Sequence, residues 1–429
     1  MRKSKILISL LFTFCLLSKA VSNELYASKS ATKSHAAWTV LVYMDADNSL
    51  ASYASYNMNE MSTGLTTLNG INVLVQWNKP KVKETWRCKI IPGGSVDAGS
   101  FSTEMGYNPS IELVKSMQWV VKDYPANNYA IILWNHGSGI EDFYPDVSKA
   151  IKRGILYDDE EQTCLTNQGL LSALTQIKQL LGKNLDLIAM DACLMAMVEV
   201  SYQVKDLVNI FVGSQETIPG DGYAYSQFIK PLSLNPAGTS PLQLAQDMVS
   251  AYKNFYTTLS PTPDFTLSAI DITSIELIKE NIDQFITAVT ACSQADAANT
   301  KNVILAARKA SISFEMPEYI DLYSFYANIL NQIKNRSPKS LLILAKQNKK
   351  AAPTPSKDYQ NALTVLNAVV QDGLNKITKV VLQEAAGAVY AGAKGISIYY
   401  PSSGLIDPTY PLTIFAQNTS WMQFIQTYH

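Results

Sequence analysis

The sequence predicts an α/β protein with a mostly parallel central sheet, helices on both faces, and a mainly helical C-terminal part. Three observations lead to this class. Strand-like and helix-like segments alternate through residues 37–270, as parallel strands joined by crossover helices require. Several strand segments, WTVLVYM (38–44), YAIILW (129–134) and LDLIAM (185–190), are near-continuous apolar runs, which is how strands buried on both faces read. The chain of 429 residues is 47% hydrophobic and 17% charged, a composition that builds a core and excludes a disordered chain.

Arg2, Lys3 and Lys5 precede an apolar run from Ile6 to Leu17, followed by small residues at Ser18, Ala20 and Ser22. This predicts a secretory signal peptide over 1–20, cleaved after Ala20 or Ser22. The run is short of the ~20 residues that span a bilayer, and no later stretch is long and apolar enough. The bulky Phe14 before Cys15 argues against a lipid anchor. The mature protein is expected to be exported, periplasmic or secreted, with no membrane contact after cleavage. It keeps 31 bases against 36 acids, a net charge of −5, so no basic excess points to nucleic acid. Cys88, Cys164, Cys193 and Cys292 remain, too few for a disulfide scaffold. If one of them stays reduced for chemistry, at most one bridge joins the others.

Residues 21–36 read as a flexible lead-in. The strand 38–44 ends in Asp45-Ala46-Asp47-Asn48-Ser49, a set of helix-cap candidates, and a helix follows to Met61. Strands are expected at 71–77 and 84–91, after which Pro92-Gly93-Gly94 breaks the chain. Ser110 is placed to cap a helix to about Asp123, with Ile111, Val114, Met117 and Val121 at helical spacing. The strand 129–134 leads into Asn135-His136-Gly137-Ser138-Gly139. A polar loop covers 140–152, a short strand 154–157, and a helix capped by Thr166 runs to Leu181. The strand 185–190 leads into Asp191-Ala192-Cys193, with a helix expected from there to about Asp206. A strand at 209–213 precedes the loop Pro219-Gly220-Asp221-Gly222. A strand at 265–270 closes this region. In 271–429 the pattern is mainly helical, with an exposed basic connection at 346–358 and a late strand at 395–400 that could rejoin the sheet.

Of the three histidines, His35 lies in the lead-in and His429 is the last residue. His136 alone stands at the carboxyl end of a core strand, the edge where open parallel sheets carry their sites. Cys193 holds the matching place after another core strand, at the start of the expected helix, where the dipole would favour a thiolate. Each residue alone reads more simply as structural. Together, an imidazole and a thiol at one sheet edge meet the requirement for nucleophilic catalysis.

These residues carry a resemblance to the clostripain family of cysteine peptidases, whose fold is caspase-like. It rests on 38–50 with Asn59-Glu60-Met61, ILWNHGSG (132–139), 154–174, DLIAMDACLMAMVEV (186–200), VGSQETIPGDGYAY (212–225) and GISIYYP (395–401). The resemblance implies a caspase-like peptidase domain over 37–270. Its catalytic dyad would be His136 and Cys193, with the backbone N–H groups of Gly137 and Cys193 forming the oxyanion hole. It further implies that Asp191 and Asp221 line a pocket for Arg or Lys, so partners would be peptides or proteins with basic residues. Helix capping by Asp191 and a turn role for Asp221 are the alternatives. Relatives are often cut between the histidine and cysteine blocks, which makes Lys149 or Arg153 a candidate self-processing site. Other readings stay open: a legumain-like or gingipain-like peptidase of different specificity, or a catalytically silent binding or adhesin module. The chemistry requires no cofactor. Some relatives depend on calcium, which keeps that ion open. The acidic run Asp158-Asp159-Glu160-Glu161 lacks the alternating ligand spacing of a calcium loop and reads as a solvated turn. No residue is assigned to a metal.

Overall fold

The computed structural model of the protein describes residues 35–101, 103–141, 154–335 and 355–429. The expected signal peptide, nearly all of the lead-in, and both Lys149 and Arg153 lie outside the described residues.

In chain order the elements are β1 (Ala36–Asp45), α1 (Ala51–Gly64), β2 (Ile71–Lys79), β3 (Val82–Ile91), β4 (Gly94–Phe101), α2 (Pro109–Asp123) and β5 (Ala126–Trp134). Next come β6 (Ile155–Asp158), β7 (Thr163–Leu165), α3 (Asn167–Leu181), β8 (Leu185–Asp191), α4 (Val198–Gln203), β9 (Val208–Gly213), α5 (Tyr225–Leu234), α6 (Pro241–Leu259) and β10 (Thr266–Asp271). The remainder holds α7 (Glu276–Ala295), α8 (Ala297–Ala310), β11 (Tyr319–Asp321), α9 (Leu322–Asn335), α10 (Lys357–Val380), β12 (Val381–Ala386), β13 (Ser397–Tyr399), α11 (Ile414–Asn418) and α12 (Trp421–Thr427).

Nine strands form the main sheet in the order β12-β10-β9-β8-β5-β1-β2-β3-β4. The five from β9 to β2 are parallel; β3 and β4 on one side, and β10 and β12 on the other, run antiparallel to their neighbours. The apolar runs are continuous because both faces are covered. Along β1, Leu41 and Tyr43 enter one core cluster while Val40, Val42 and Met44 enter the other, the two-residue alternation of a strand. The first cluster is covered by α2, α3 and the C-terminal helices, and the second by α1, α5 and α6.

Several expectations are corrected. Pro92-Gly93 does not end the sheet but turns β3 into β4, with Gly93 at φ 77°; a proline followed by a left-handed glycine suits a tight hairpin. The first cap candidates do not cap α1, whose N-cap is Leu50. Asn48 instead donates to the carbonyls of Asp45 (3.1 Å) and Tyr157 (3.0 Å). Asn108, not Ser110, caps α2, whereas Thr166 caps α3 through Gly169 N–H at 2.9 Å. The late strand does not rejoin the main sheet: β13 pairs with β11, and β12 joins the sheet beside β10. The segment after Cys193 is not helical until Val198.

Candidate active site

The site forms where β1, β5, β8 and β9 end on one edge of the sheet. Trp134 of β5 stands opposite Asp191 of β8 in parallel register, so His136 and Cys193, each two residues further on, leave the sheet side by side. Asn135 N–H still reaches the Asp191 carbonyl at 3.2 Å. Beyond it the two turns pack backbone to backbone. A Cβ at Gly137 would lie 2.5 Å from the Cys193 carbonyl oxygen and 3.1 Å from its nitrogen, so only glycine permits this approach. Among the described residues, no backbone carbonyl takes the N–H of Gly137 or of Cys193.

His136 and Cys193 line one cavity of about 190 Å³, together with Leu50, Trp134, Asp191 and the Ile218–Gly220 turn. The histidine turn is fixed from below by Asn135, whose amide donates to the carbonyls of Asp45 (2.6 Å) and Tyr157 (3.0 Å). Its ring is engaged from the side, with Ser49 Oγ 2.9 Å from Nε2. Ser49 was not among the residues singled out from the sequence. Its segment reads there as a helix cap, and only the fold brings it to His136.

The expected helix-dipole effect on Cys193 is overturned. Ala192–Leu194 form a turn, with Leu194 at φ 65°, and Ala196 N–H bonds back to Ser214, so no helix starts at the thiol. Burial pushes the Cys193 thiol above its usual range; the Ile218 N–H, 3.2 Å from Sγ, opposes this, while Asp191 and Glu216 add to it. Sγ thus accepts from the Ile218 N–H and also lies 3.9 Å from the Ile218 carbonyl oxygen.

Asp191 forms a wall of the same cavity and is only 4% exposed. One oxygen accepts from Tyr223 N–H (3.1 Å) and from the Tyr225 hydroxyl (2.9 Å). No lysine or arginine among the described residues pairs with it. Burial lifts its acidity constant to about 7 against those two hydrogen bonds, with Glu60 repelling. The capping alternative is overturned, since no helix begins there. Asp191 and Cys193 do not share a strand face: Asp191 meets the tyrosines of the second core cluster and Cys193 packs on the first. They meet in the cavity because the chain turns between them.

Asp221 is half-buried in the Pro219–Gly222 turn but is not among the cavity's lining residues. Its carbonyl accepts from Asn57 at 2.8 Å. A third acid, Glu60, sits behind Asp191. It accepts from Ser226 Oγ at 3.1 Å, its Oε2 is buried without a partner, and burial raises its acidity constant. In the sequence Glu60 belonged to a matching block but carried no assigned role.

The acidic run is not a fully solvated turn. Asp158 is 0% exposed, Asp159 and Glu161 are half-buried, and only Glu160 is exposed. No disulfide engages Cys88, Cys193 or Cys292. No helix among the described residues is long and apolar enough to cross a membrane.

The chain thus brings a histidine and a cysteine onto one cleft at the carboxyl edge of a parallel sheet, in an α/β fold of the caspase-like type. Comparison with known proteins agrees. The family model described as the clostripain family matches residues 42–428, and the chain belongs to that family. Clostripain of Hathewaya histolytica is 25% identical over 349 residues, covering 69% of this chain; the chain spans 64% of that relative's length. A secreted C11 cysteine protease from Bacteroides thetaiotaomicron, solved with an irreversible peptide inhibitor, superposes with a TM-score of 0.62 at 18% identity, over 90% of this chain and 99% of that one. An inactive zymogen C11 protease from Parabacteroides distasonis gives 0.60 at 17%, over 91% and 99%. At these identities the two structures establish the shared fold.

Proposed function

We propose that the protein is an exported cysteine endopeptidase that cuts peptide bonds after Arg or Lys, with His136 and Cys193 as its dyad. The observation that carries the specificity is the Asp191 carboxylate, buried in the wall of the cavity that both residues line and without a cation partner among the described residues. Burying a lone carboxylate is costly, and a cationic side chain entering the cavity offsets that cost. Glu60 behind it deepens the negative potential.

In this reading the dyad acts by general-base catalysis. His136 takes the Cys193 proton as sulfur attacks the scissile carbonyl. The new oxyanion lies against the N–H groups of Gly137 and Cys193, which the packed turns hold ready. The imidazolium then gives its proton to the leaving amine. A water molecule, deprotonated by His136, releases the acyl group and restores the thiol. Ser49 keeps the ring oriented. No cofactor enters these steps.

The decisive experiment uses fluorogenic peptides carrying Arg, Lys, Asn or Asp before the leaving group, assayed in reducing buffer with and without calcium. Turnover of Arg and Lys peptides, abolished in Cys193→Ala and in His136→Ala, is the expected result. Cleavage after Asn would favour a legumain-like specificity, and no cleavage at all would favour a binding module.

Self-processing at Lys149 or Arg153 follows from the same specificity, because both bases stand between the two catalytic blocks. Purified wild type should show two chains by intact mass, ending at one of these residues, and Cys193→Ala a single chain. A single chain in fully active wild type would remove self-cleavage from the reading.

A further inference from the structure

Trp134 ends β5 directly opposite Asp191 of β8, and register partners on neighbouring strands share a face of the sheet. Both side chains line the cavity that also holds His136 and Cys193. Trp134 is only 2% exposed, as a core residue would be, but its bonds tie it to the cavity wall. The indole N–H donates to Asn57 Oδ1 at 2.8 Å. Asn57, itself fully buried, donates in turn to the Asp221 carbonyl at 2.8 Å. One asparagine on α1 thus fixes both the ring and the turn whose Pro219, Gly220 and Gly222 supply another part of the lining.

The carboxylate beside the ring has one oxygen to give. Oδ2 already accepts from Tyr223 N–H at 3.1 Å and from the Tyr225 hydroxyl at 2.9 Å, and Gly222 is so close that a Cβ there would lie 2.8 Å from it. Oδ1 accepts no hydrogen bond among the described residues. A carboxylate with a single free oxygen cannot form the two-pronged pairing that sets arginine apart from lysine. Charge alone would hold the two cations about equally, so the rest of the wall decides between them. On that wall the indole of Trp134 carries no other ring, lysine or arginine among the described residues. Elsewhere three tryptophans do carry a cation: Lys79 Nζ lies 4.0 Å from the Trp77 centroid and 4.4 Å from that of Trp86, and the Arg87 guanidinium lies 4.6 Å from that of Trp119.

We propose that Trp134 makes this pocket prefer arginine to lysine, its indole stacking against the guanidinium while Asp191 Oδ1 pairs with the charge. The preference rests on the basic-residue pocket proposed above and adds a selection within it. A guanidinium is planar, delocalised and weakly hydrated, so it lies readily on an aromatic face; an ammonium is a compact point charge that holds its water. A cation over a ring is held more tightly where water is excluded, and Trp134 and Asp191 are both almost fully buried. The alkyl stems of the two side chains gain similar apolar contact from the ring and do not separate them.

The test compares matched fluorogenic peptides ending in Arg or Lys on one preparation of the enzyme, so that any loss of folded protein cancels from the ratio of their kcat/KM values. Wild type should favour the Arg peptide by about tenfold, the size of one desolvated contact between a cation and a ring. Trp134→Leu should bring that ratio below about threefold, and Trp134→Phe, which keeps a ring, should fall between. A wild-type ratio near one, or a preference for Lys, would overturn the proposal. So would a Trp134→Leu variant that loses both peptides equally, which is what a purely structural tryptophan gives. Wild type alone supplies a second reading. Benzamidine, a planar cation, should compete with the Arg peptide more tightly than n-butylamine, and equal inhibition constants would overturn the stacking. Failure of the pocket itself looks different: wild type would turn over neither basic peptide, or Asp191→Asn would leave Arg turnover unmoved, and the preference would fall with it.

Discussion

Asp191 is the residue on which the proposed substrate choice turns, and its protonation makes two predictions. Its acidity constant in the folded chain is about 7, against ~3.9 for an unfolded aspartate. Between those values the folded protein keeps a proton that the unfolded chain has released, so stability falls as pH rises through that window and levels off above it. Asp191→Asn keeps acceptor capacity for Tyr223 N–H and Tyr225 OH but has no charge to bury. The variant should therefore match wild type near pH 4 and melt higher at pH 8, with a gap of roughly 4 kcal/mol at most. The groups facing Asp191 are Glu60 on α1, Cys193, and the tyrosines Tyr223, Tyr225 and Tyr256. Burial and the Glu60 charge lift its constant, and the Tyr223 N–H and the Tyr225 hydroxyl oppose this. In wild type, KM for an Arg peptide should fall as pH rises through 7, because ionised Asp191 is the form that holds the cation. In Asp191→Asn that dependence should vanish and Arg peptides should lose far more than neutral ones. Equal losses on both would assign Asp191 a structural role.

At the scale of elements, the proposed catalytic geometry depends on two turns touching. The parallel pairing of β5 and β8 delivers His136 and Cys193 to the same level, and Gly137 lets the turns close. Gly137→Ala puts a methyl group against the Cys193 carbonyl, which must move by about an ångström. Displacements of that size cost roughly 100-fold in rate. The loss should fall on kcat more than on KM, since Asp191 and the cavity wall stay in place, and circular dichroism should be unchanged. A large rise in KM with kcat intact would instead show that the turn contact serves binding. Elements differ in how well the sequence revealed them, for a physical reason. β1, β5 and β8 are buried on both faces and announce themselves as apolar runs, which is why the edge bearing His136 and Cys193 could be located. β4, with the sequence GSVDAGSF, is largely exposed and has no apolar pattern. β12 is only partly buried and follows a long helix without a break. Ser49 and Glu60 were illegible as site residues for another reason: each acts on groups far away in the sequence, and no local pattern encodes that proximity. The acidity of Cys193 was misjudged because a helix was expected at a turn.

At the scale of the whole molecule, the turns bearing His136 and Cys193 both lean on the C-terminal part. The Tyr319 hydroxyl donates to the Ser138 carbonyl at 2.7 Å, beside the histidine turn. Ser397 N–H and Oγ both reach the Ala196 carbonyl, at 2.9 and 3.1 Å, beside the cysteine turn. Tyr399 N–H bonds to the buried Glu199 at 3.0 Å. Behind β13, Trp421 is wholly buried, donates to the Tyr399 carbonyl at 2.8 Å and stacks on Phe424 with centroids 4.8 Å apart. One core cluster runs without interruption from Leu41 through Phe211 and Ile270 to Phe325 and Trp421. Residues 37–270 expressed alone would leave the outer edge of β10 unpaired where β12 belongs and would uncover that cluster's apolar face. Open strand edges and large apolar patches drive aggregation. The fragment should thus be insoluble or bind hydrophobic dye, and it should not hydrolyse Arg peptides. Co-expression with 271–429 should restore a soluble, active assembly in which the two pieces co-purify. A soluble 37–270 fragment with near-native melting and turnover would show that the catalytic turns need no support from the C-terminal part, and would make residues 271–429 a separable addition.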